Sequence, residues 1–150
     1  MSDKLIIPQE VIVSKIQLLR DEKIMLDRDL AELFGVKTKV LKQAVRRNSN
    51  RFPEDFMFEM NEEEMKAWKS QNTMSKEDKQ GLRYAPFCFT EQGVAMLSCV
   101  LKSDRAVEVN IQIIRTFTML RKMALTHKDI LIKLEEMEKK AIGQDEKIET

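Results

Sequence analysis

Between Lys37 and Arg51 the chain carries Lys37, Lys39, Lys42, Arg46, Arg47 and Arg51, and no acid interrupts them. Thr38, Gln43, Asn48, Ser49 and Asn50 stand among these bases. Cations neutralise phosphates, and amide and hydroxyl groups read the donors and acceptors on base edges, so the mixture suits a nucleic acid. The plainer reading is a solvated basic helix face, which is common. The following segment has the opposite sign: Glu54, Asp55, Glu59, Glu62, Glu63 and Glu64 precede Lys66. A net charge of only +1 announces no polyanion partner. The segregation of charge, however, would steer DNA toward one side of the molecule.

The elements that must position these groups are legible upstream of them. Asp27 suits a helix N-cap, and Leu30, Ala31, Leu33 and Phe34 follow at helical spacing. Gly35 falls where that helix must stop and turn, a place for φ > 0. Thr38 can cap a second helix whose buried stripe would be Val40, Leu41, Ala44 and Val45. This predicts a helix-turn-helix. The second helix of such a motif enters the major groove with its N-terminal residues deepest. Thr38, Lys39, Lys42 and Gln43 are therefore the candidates for base contacts, with Gln43 suited to adenine and the lysines to guanine. Lys37, Arg46, Arg47 and Arg51 are the candidates for phosphate contacts. Turn geometry and one-sided charge coincide in one segment, and that coincidence favours double-stranded DNA over the solvated face.

Around this motif the pattern predicts an α+β domain, mostly helical, with a small antiparallel sheet and a long C-terminal helix. Residues 1–10 read as a flexible lead-in. Val11-Ile12-Val13 reads as the start of a strand, and a hairpin with a three-residue connection, Arg20-Asp21-Glu22, delivers the chain to Asp27. Pro53 ends the basic helix before it. Phe56, Phe58 and Met60 share one face of a short strand, and Asn61 caps a helix that buries Met65 and Trp68. Residues 72–82 read as a loop, and extended structure resumes at Tyr84–Phe89. Thr90 caps the next helix, with Val94, Ala95, Leu97, Ser98 and Leu101 for close packing. From Asp104 a long helix is apolar on most sides, including Val107, Val109, Ile111, Ile113 and Ile114, which places it in the core or a subunit interface. From Leu125 to the end, a helical extension carries Ile130, Leu134, Met137 and Ala141 at a four-three-four spacing, the seam of a coiled coil. Ile130, Leu134 and Met137 are thus the candidate oligomerisation residues, and a homodimer is expected.

Other chemistry finds little support. Cys88 and Cys99 stand in apolar surroundings and read as buried free thiols of a reducing cytoplasm. No apolar signal core or bilayer-spanning run is present, so a cytoplasmic protein, in a bacterial cytoplasm or nucleoid, is expected. The one histidine, His127, has no ligand partners at metal spacing, and the four glycines are too scattered for a phosphate-cradling loop. Glu62, Glu63 and Glu64 diverge around a helix and suit its first turn instead. No enzyme, cofactor or metal is expected.

Several blocks together resemble a known family: Ile24–Asp27 leading to Asp29–Val36, Asn48, Arg51–Phe58, Arg83-Tyr84, Pro86, Phe89–Leu97, Val109–Ile111 and Ile114-Arg115. Over roughly residues 11–124 the chain is similar to the phage and prophage "ORF-six N-terminal" domain, a relative of the KilA-N and BRO-N domains. The stretch 72–82 lacks the glycine-rich, basic character of the family. The resemblance implies a DNA-binding module of phages and large DNA viruses, often joined to a variable C-terminal part, with some members acting as antirepressors. Two function classes stay open. One is a DNA-binding transcriptional regulator. The other is a protein-interaction module, an antirepressor that binds a repressor or host protein through the acidic stretch Glu54–Glu64 and the C-terminal helix.

Overall fold

Along the chain run α1 (Gln9–Lys15), β1 (Ile16–Leu19), β2 (Glu22–Leu26), α2 (Asp27–Phe34), α3 (Thr38–Arg47) and a 3₁₀ turn at Ser49–Arg51. Then come β3 (Met57–Glu59), α4 (Glu62–Gln71), β4 (Phe87–Phe89), α5 (Glu91–Leu101) and α6 (Asp104–Glu149). The computed structural model describes residues 7–71 and 85–149, with side chains for 7–70 and 85–141. The loop expected at 72–82, Arg83, Tyr84 and the first six residues of the lead-in lie outside the described residues. The chain divides into two units, Met1–Thr116 and Phe117–Thr150. The architecture is the α+β fold expected: mostly helical, with a small antiparallel sheet and a long C-terminal helix.

One local expectation is overturned at the start. Val11-Ile12-Val13 lies inside the helix α1, not a strand. Val11 and Ile12 donate their backbone N–H groups to the Pro8 carbonyl at 3.0 and 3.4 Å, which seeds the first turn. Glu10 in that turn and Lys15 in the last favour the helix dipole. Only Ile12 is fully buried, so one core contact outweighs the strand preference of three β-branched residues.

The hairpin exists, but its connection has two residues, since Glu22 already pairs with Leu19. Arg20 and Asp21 both take positive φ, 55° and 61°, as a primed turn requires. Arg20 is then held from outside. Its Nε and Nη2 donate to Glu64 at 2.9 Å each, and its guanidinium lies 4.1 Å from the Phe58 ring centre.

The sheet order is β1-β2-β4-β3, with every neighbour antiparallel. Alternation along the strands divides it into two faces. Ile24, Leu26 and Cys88 point one way and meet Phe58, Met60, Met65 and Trp68, so α4 covers that face. Trp68 is thus a packing residue. Met25, Phe87 and Phe89 point the other way, toward α2 and α5, and all three are buried. Both faces are covered along β4 and over Ile24–Leu26 of β2, which explains why those stretches are continuously apolar, whereas Glu22 and Lys23 at the start of β2 are exposed. Asn61 and Glu64 form a reciprocal capping box: each side chain accepts the other's backbone N–H, at 2.8 and 2.9 Å.

Thr90 caps α5 as expected, accepting from Gly93 N–H and donating its hydroxyl to the Asp55 carbonyl at 2.7 Å. Gly93 is required there, because a Cβ would lie 1.9 Å from the Phe56 carbonyl oxygen. Further along α5, Val94 and Leu97 are buried, but Ala95 and Cys99 are exposed. Cys99 is therefore not the buried thiol expected. In α6 up to Thr116 the buried positions are Ala106, Val109, Asn110, Ile113 and Thr116. Val107 and Ile111 face solvent instead of the core. The stripe is set by Asn110, whose side chain donates to the Val94 carbonyl and draws that face onto α5.

Candidate nucleic-acid interface

The turn between α2 and α3 closes as its residues dictate. Gly35 takes φ 74°, ψ 31°, and its N–H reaches the Glu32 carbonyl at 3.2 Å, while Val36 N–H reaches Ala31 at 2.9 Å. Arg105 locks the corner. Its guanidinium donates to the Leu33 carbonyl at 3.3 and 3.4 Å and packs where a Gly35 Cβ would stand, 2.8 Å from Arg105 Nε. A cation at a helix C-terminus is electrostatically favoured. Leu41 and Val45 of α3 are buried, at 0% and 1% exposure, and join Leu30, Ala31 and Phe34 of α2 in the core.

The expected caps shift by one residue. Asp27 is the first residue of α2, not its N-cap, and Thr38 is the first of α3, after Lys37. Asp27 is buried. One of its oxygens accepts from Arg28 N–H at 2.7 Å; the other accepts from Phe87 N–H at 3.0 Å and lies 3.3 Å from Lys42 Nζ. Lys42 also donates to the Ala85 carbonyl at 3.3 Å and sits 4.9 Å above the Phe87 ring. Its side chain is only 14% exposed. The ammonium thus fastens α3 to the start of α2 and to β4, and it is turned away from the groove-reading position assigned to it.

At 100° per residue, Lys39, Val40, Gln43 and Arg47 share the face opposite Leu41 and Val45. All four are exposed. Val40, expected in the buried stripe, is 47% exposed because Leu41 and Val45 already fill the contact with α2. Lys39, Gln43 and Arg47 have no hydrogen-bond or ion-pair partner in the protein among the described residues. Arg46 lies on the flank, 5.6 Å from the Phe87 ring centre, and is also exposed. Thr38 is half-buried, while Lys37 and Arg51 are exposed before and after the helix. Asn48 closes α3 by donating its side-chain N–H to the Ala44 carbonyl at 2.8 Å. The structure thus brings Lys39, Gln43, Arg46 and Arg47 onto one outward surface with Lys37 and Arg51 at its ends, and leaves Lys42 out.

The sequence profile of the ORF6N domain matches residues 14–100, more than half of the chain. The chain belongs to the ORF6N family. A search of curated proteins and of solved structures finds no significant match. The ORF6N match starts in α1, contains the whole α2–turn–α3 unit and ends in α5. The family is phage-associated. No helix among the described residues is long and apolar enough to cross a membrane.

Two ties that position the ORF6N helix pair were not legible in the sequence, that of Arg105 to Leu33 and that of Asp27 to Phe87. Arg105 lies far along the chain from Leu33, and nothing local links them. Asp27 was visible as a helix-start acid, but its bond to Phe87 N–H depends on the register of β4. The remaining charge is less reserved. On the acidic side Glu54, Asp55, Glu59, Glu62 and Glu63 are exposed, whereas Glu64 is held by Arg20, which keeps its carboxyl below the ordinary range.

Proposed function

We propose that this ORF6N protein binds duplex DNA as a phage-associated regulator, with α3 lying in the major groove. The observation that carries the reading is the outward face of α3. It presents Lys39, Gln43 and Arg47, all exposed and unengaged by the protein, on a segment without acids from Lys37 to Pro53. Buried polar groups need partners inside a fold, whereas exposed ones on a rigid helix are free for a ligand. Thr38, Lys39 and Gln43, nearest the helix N-terminus, are proposed for base edges. Lys37, Arg46, Arg47 and Arg51 are proposed for phosphates, and Lys42 acts only by holding the helix.

The test separates electrostatic from sequence-reading contacts on a selected binding site. Arg47→Ala should weaken binding to all sequences alike and lower the salt slope by about one unit, the share of one phosphate. Gln43→Ala should instead cost about 1–3 kcal/mol on the preferred site and little elsewhere. Equal affinity of wild type and both variants would refute the groove reading. A second reading, an interaction module that binds a repressor or host protein, is favoured by the exposed acids Glu54, Asp55, Glu59, Glu62 and Glu63. Charge reversal of those acids would then abolish activity while DNA affinity stayed unchanged.

A further inference from the structure

From residue 121 to 141 every side chain of α6 is exposed. Among them Met123, Ile130, Leu134 and Met137 stand 59%, 50%, 51% and 65% accessible. Their spacing puts Met123, Ile130 and Met137 at d positions and His127, Leu134 and Ala141 at a positions of one seam. The helix is supported within itself by acid-to-base spacings of four residues at Asp129/Lys133, Glu135/Lys139 and Glu136/Lys140. Nothing in that support covers the seam.

We propose that this extension pairs with a second copy of the chain as a parallel, in-register, two-stranded coiled coil. The flanking charges select both the occupant and its direction. Lys133 and Lys140 occupy g positions and Glu138 an e position. In a parallel pair each g residue faces the e residue five places on in its partner, so Lys133 meets Glu138 on both sides of the seam. An antiparallel pair sets g against g, which brings lysines together. A second copy therefore satisfies the charges only when it runs the same way. His127 fixes the register, because a polar a residue costs less when it faces its own copy, where the two can share a hydrogen bond or water, than when it faces an apolar a residue. Leu131, at e, widens the seam. Leu125 and Ile132 lie at f positions and remain in water, as single surface apolar residues commonly do.

The proposal does not rest on the DNA reading. Sedimentation of the full chain at micromolar concentration should give a dimer, and Leu134→Lys should give a monomer with an unchanged melt for the rest of the molecule. Lys133→Glu and Glu138→Lys should each raise the dimer dissociation constant by roughly five- to tenfold, since two symmetric pairs are lost at once. Combining them should restore it. Direction is read from Ala141→Cys in a Cys99→Ser background, with oxidised glutathione as oxidant. Parallel in-register helices juxtapose the two thiols and give an interchain disulfide. A monomer at every concentration, a dimer indifferent to Leu134→Lys, or a dimer that forms no disulfide at position 141 would each overturn the proposal.

Discussion

Removing the Asp27 carboxylate should cost this protein more stability than removing its partner Lys42. In Asp27→Ala, Phe87 N–H loses its acceptor at a buried strand position, a penalty of about 1–3 kcal/mol. The Lys42 ammonium, 14% exposed, keeps only the Ala85 carbonyl and the Phe87 ring. Breaking such a pair by removing one member typically costs about 3–5 kcal/mol. In Lys42→Met the carboxylate is orphaned as well, but it retains both backbone donors, Arg28 N–H and Phe87 N–H, which offset part of that penalty and hold the expected loss to about 1–3 kcal/mol. The double variant leaves no orphan charge and should lose less than the sum of the two, with a coupling of roughly 0.5–3 kcal/mol. Urea titrations followed by circular dichroism would measure all three, with a constant slope confirming that only stability has changed. The same samples address the interface: Lys42→Met, at a temperature where it is folded, should keep the wild-type salt slope for DNA. Strict additivity, or a folded Lys42→Met whose salt slope falls by a full unit, would refute the structural role assigned to this lysine.

Other perturbations test the frame around the site. Gly93→Ala places a methyl group 1.9 Å from the Phe56 carbonyl, so α5 must separate from the β3 loop, and the thermal midpoint should fall sharply or the protein fail to fold. Glu64 has its pKa lowered, chiefly by the hydrogen bond from Arg20. A lowered carboxyl pKa stabilises above the unfolded value and ceases to do so as pH falls through the folded one. Glu64→Gln should therefore destabilise at neutral pH and match wild type in acid below the carboxylate range, as seen by melts across pH. Burial pushes the Cys88 thiol up to about 12, whereas Cys99 is exposed. A maleimide should label one cysteine of the native protein at neutral pH and two in urea, with peptide mapping placing the first at Cys99.

The helix pair α2 and α3 and the corner between them were legible because their signals are local: Gly35 for the left-handed corner, and the spacing of Leu30, Ala31, Leu33 and Phe34 before it. Asn61 and Thr90 announced their helices for the same reason, since a cap is a bond between near neighbours. What escaped was decided at a distance. Three β-branched residues at Val11–Val13 pointed to a strand, yet one buried contact through Ile12 and the carbonyl of Pro8 made a helix. Arg20 and Asp21 form a two-residue turn without glycine, and the ties from Arg20 to Glu64 and Phe58 lie on other elements. At the candidate interface, periodicity correctly placed Gln43 and Arg47 outside but could not orient Lys42. That residue sits at the edge of the buried stripe, and only the assembled Asp27 and Phe87 show which way its ammonium turns.

Contact between the outward face of α3 and DNA is tested most directly by one titration. Fluorescence anisotropy of a labelled random duplex, at low and then rising salt, would compare wild type with the triple variant Lys39→Ala, Gln43→Ala, Arg47→Ala. All three positions are exposed and make no contact the fold needs, so the variant should melt with the wild type. Wild type should bind with salt sensitivity, and the triple variant should lose at least tenfold in affinity with a salt slope lower by about one unit, the share of the Arg47 phosphate contact. A triple variant that binds the duplex as wild type does, or a wild-type protein that binds no duplex even at low salt, would contradict that contact.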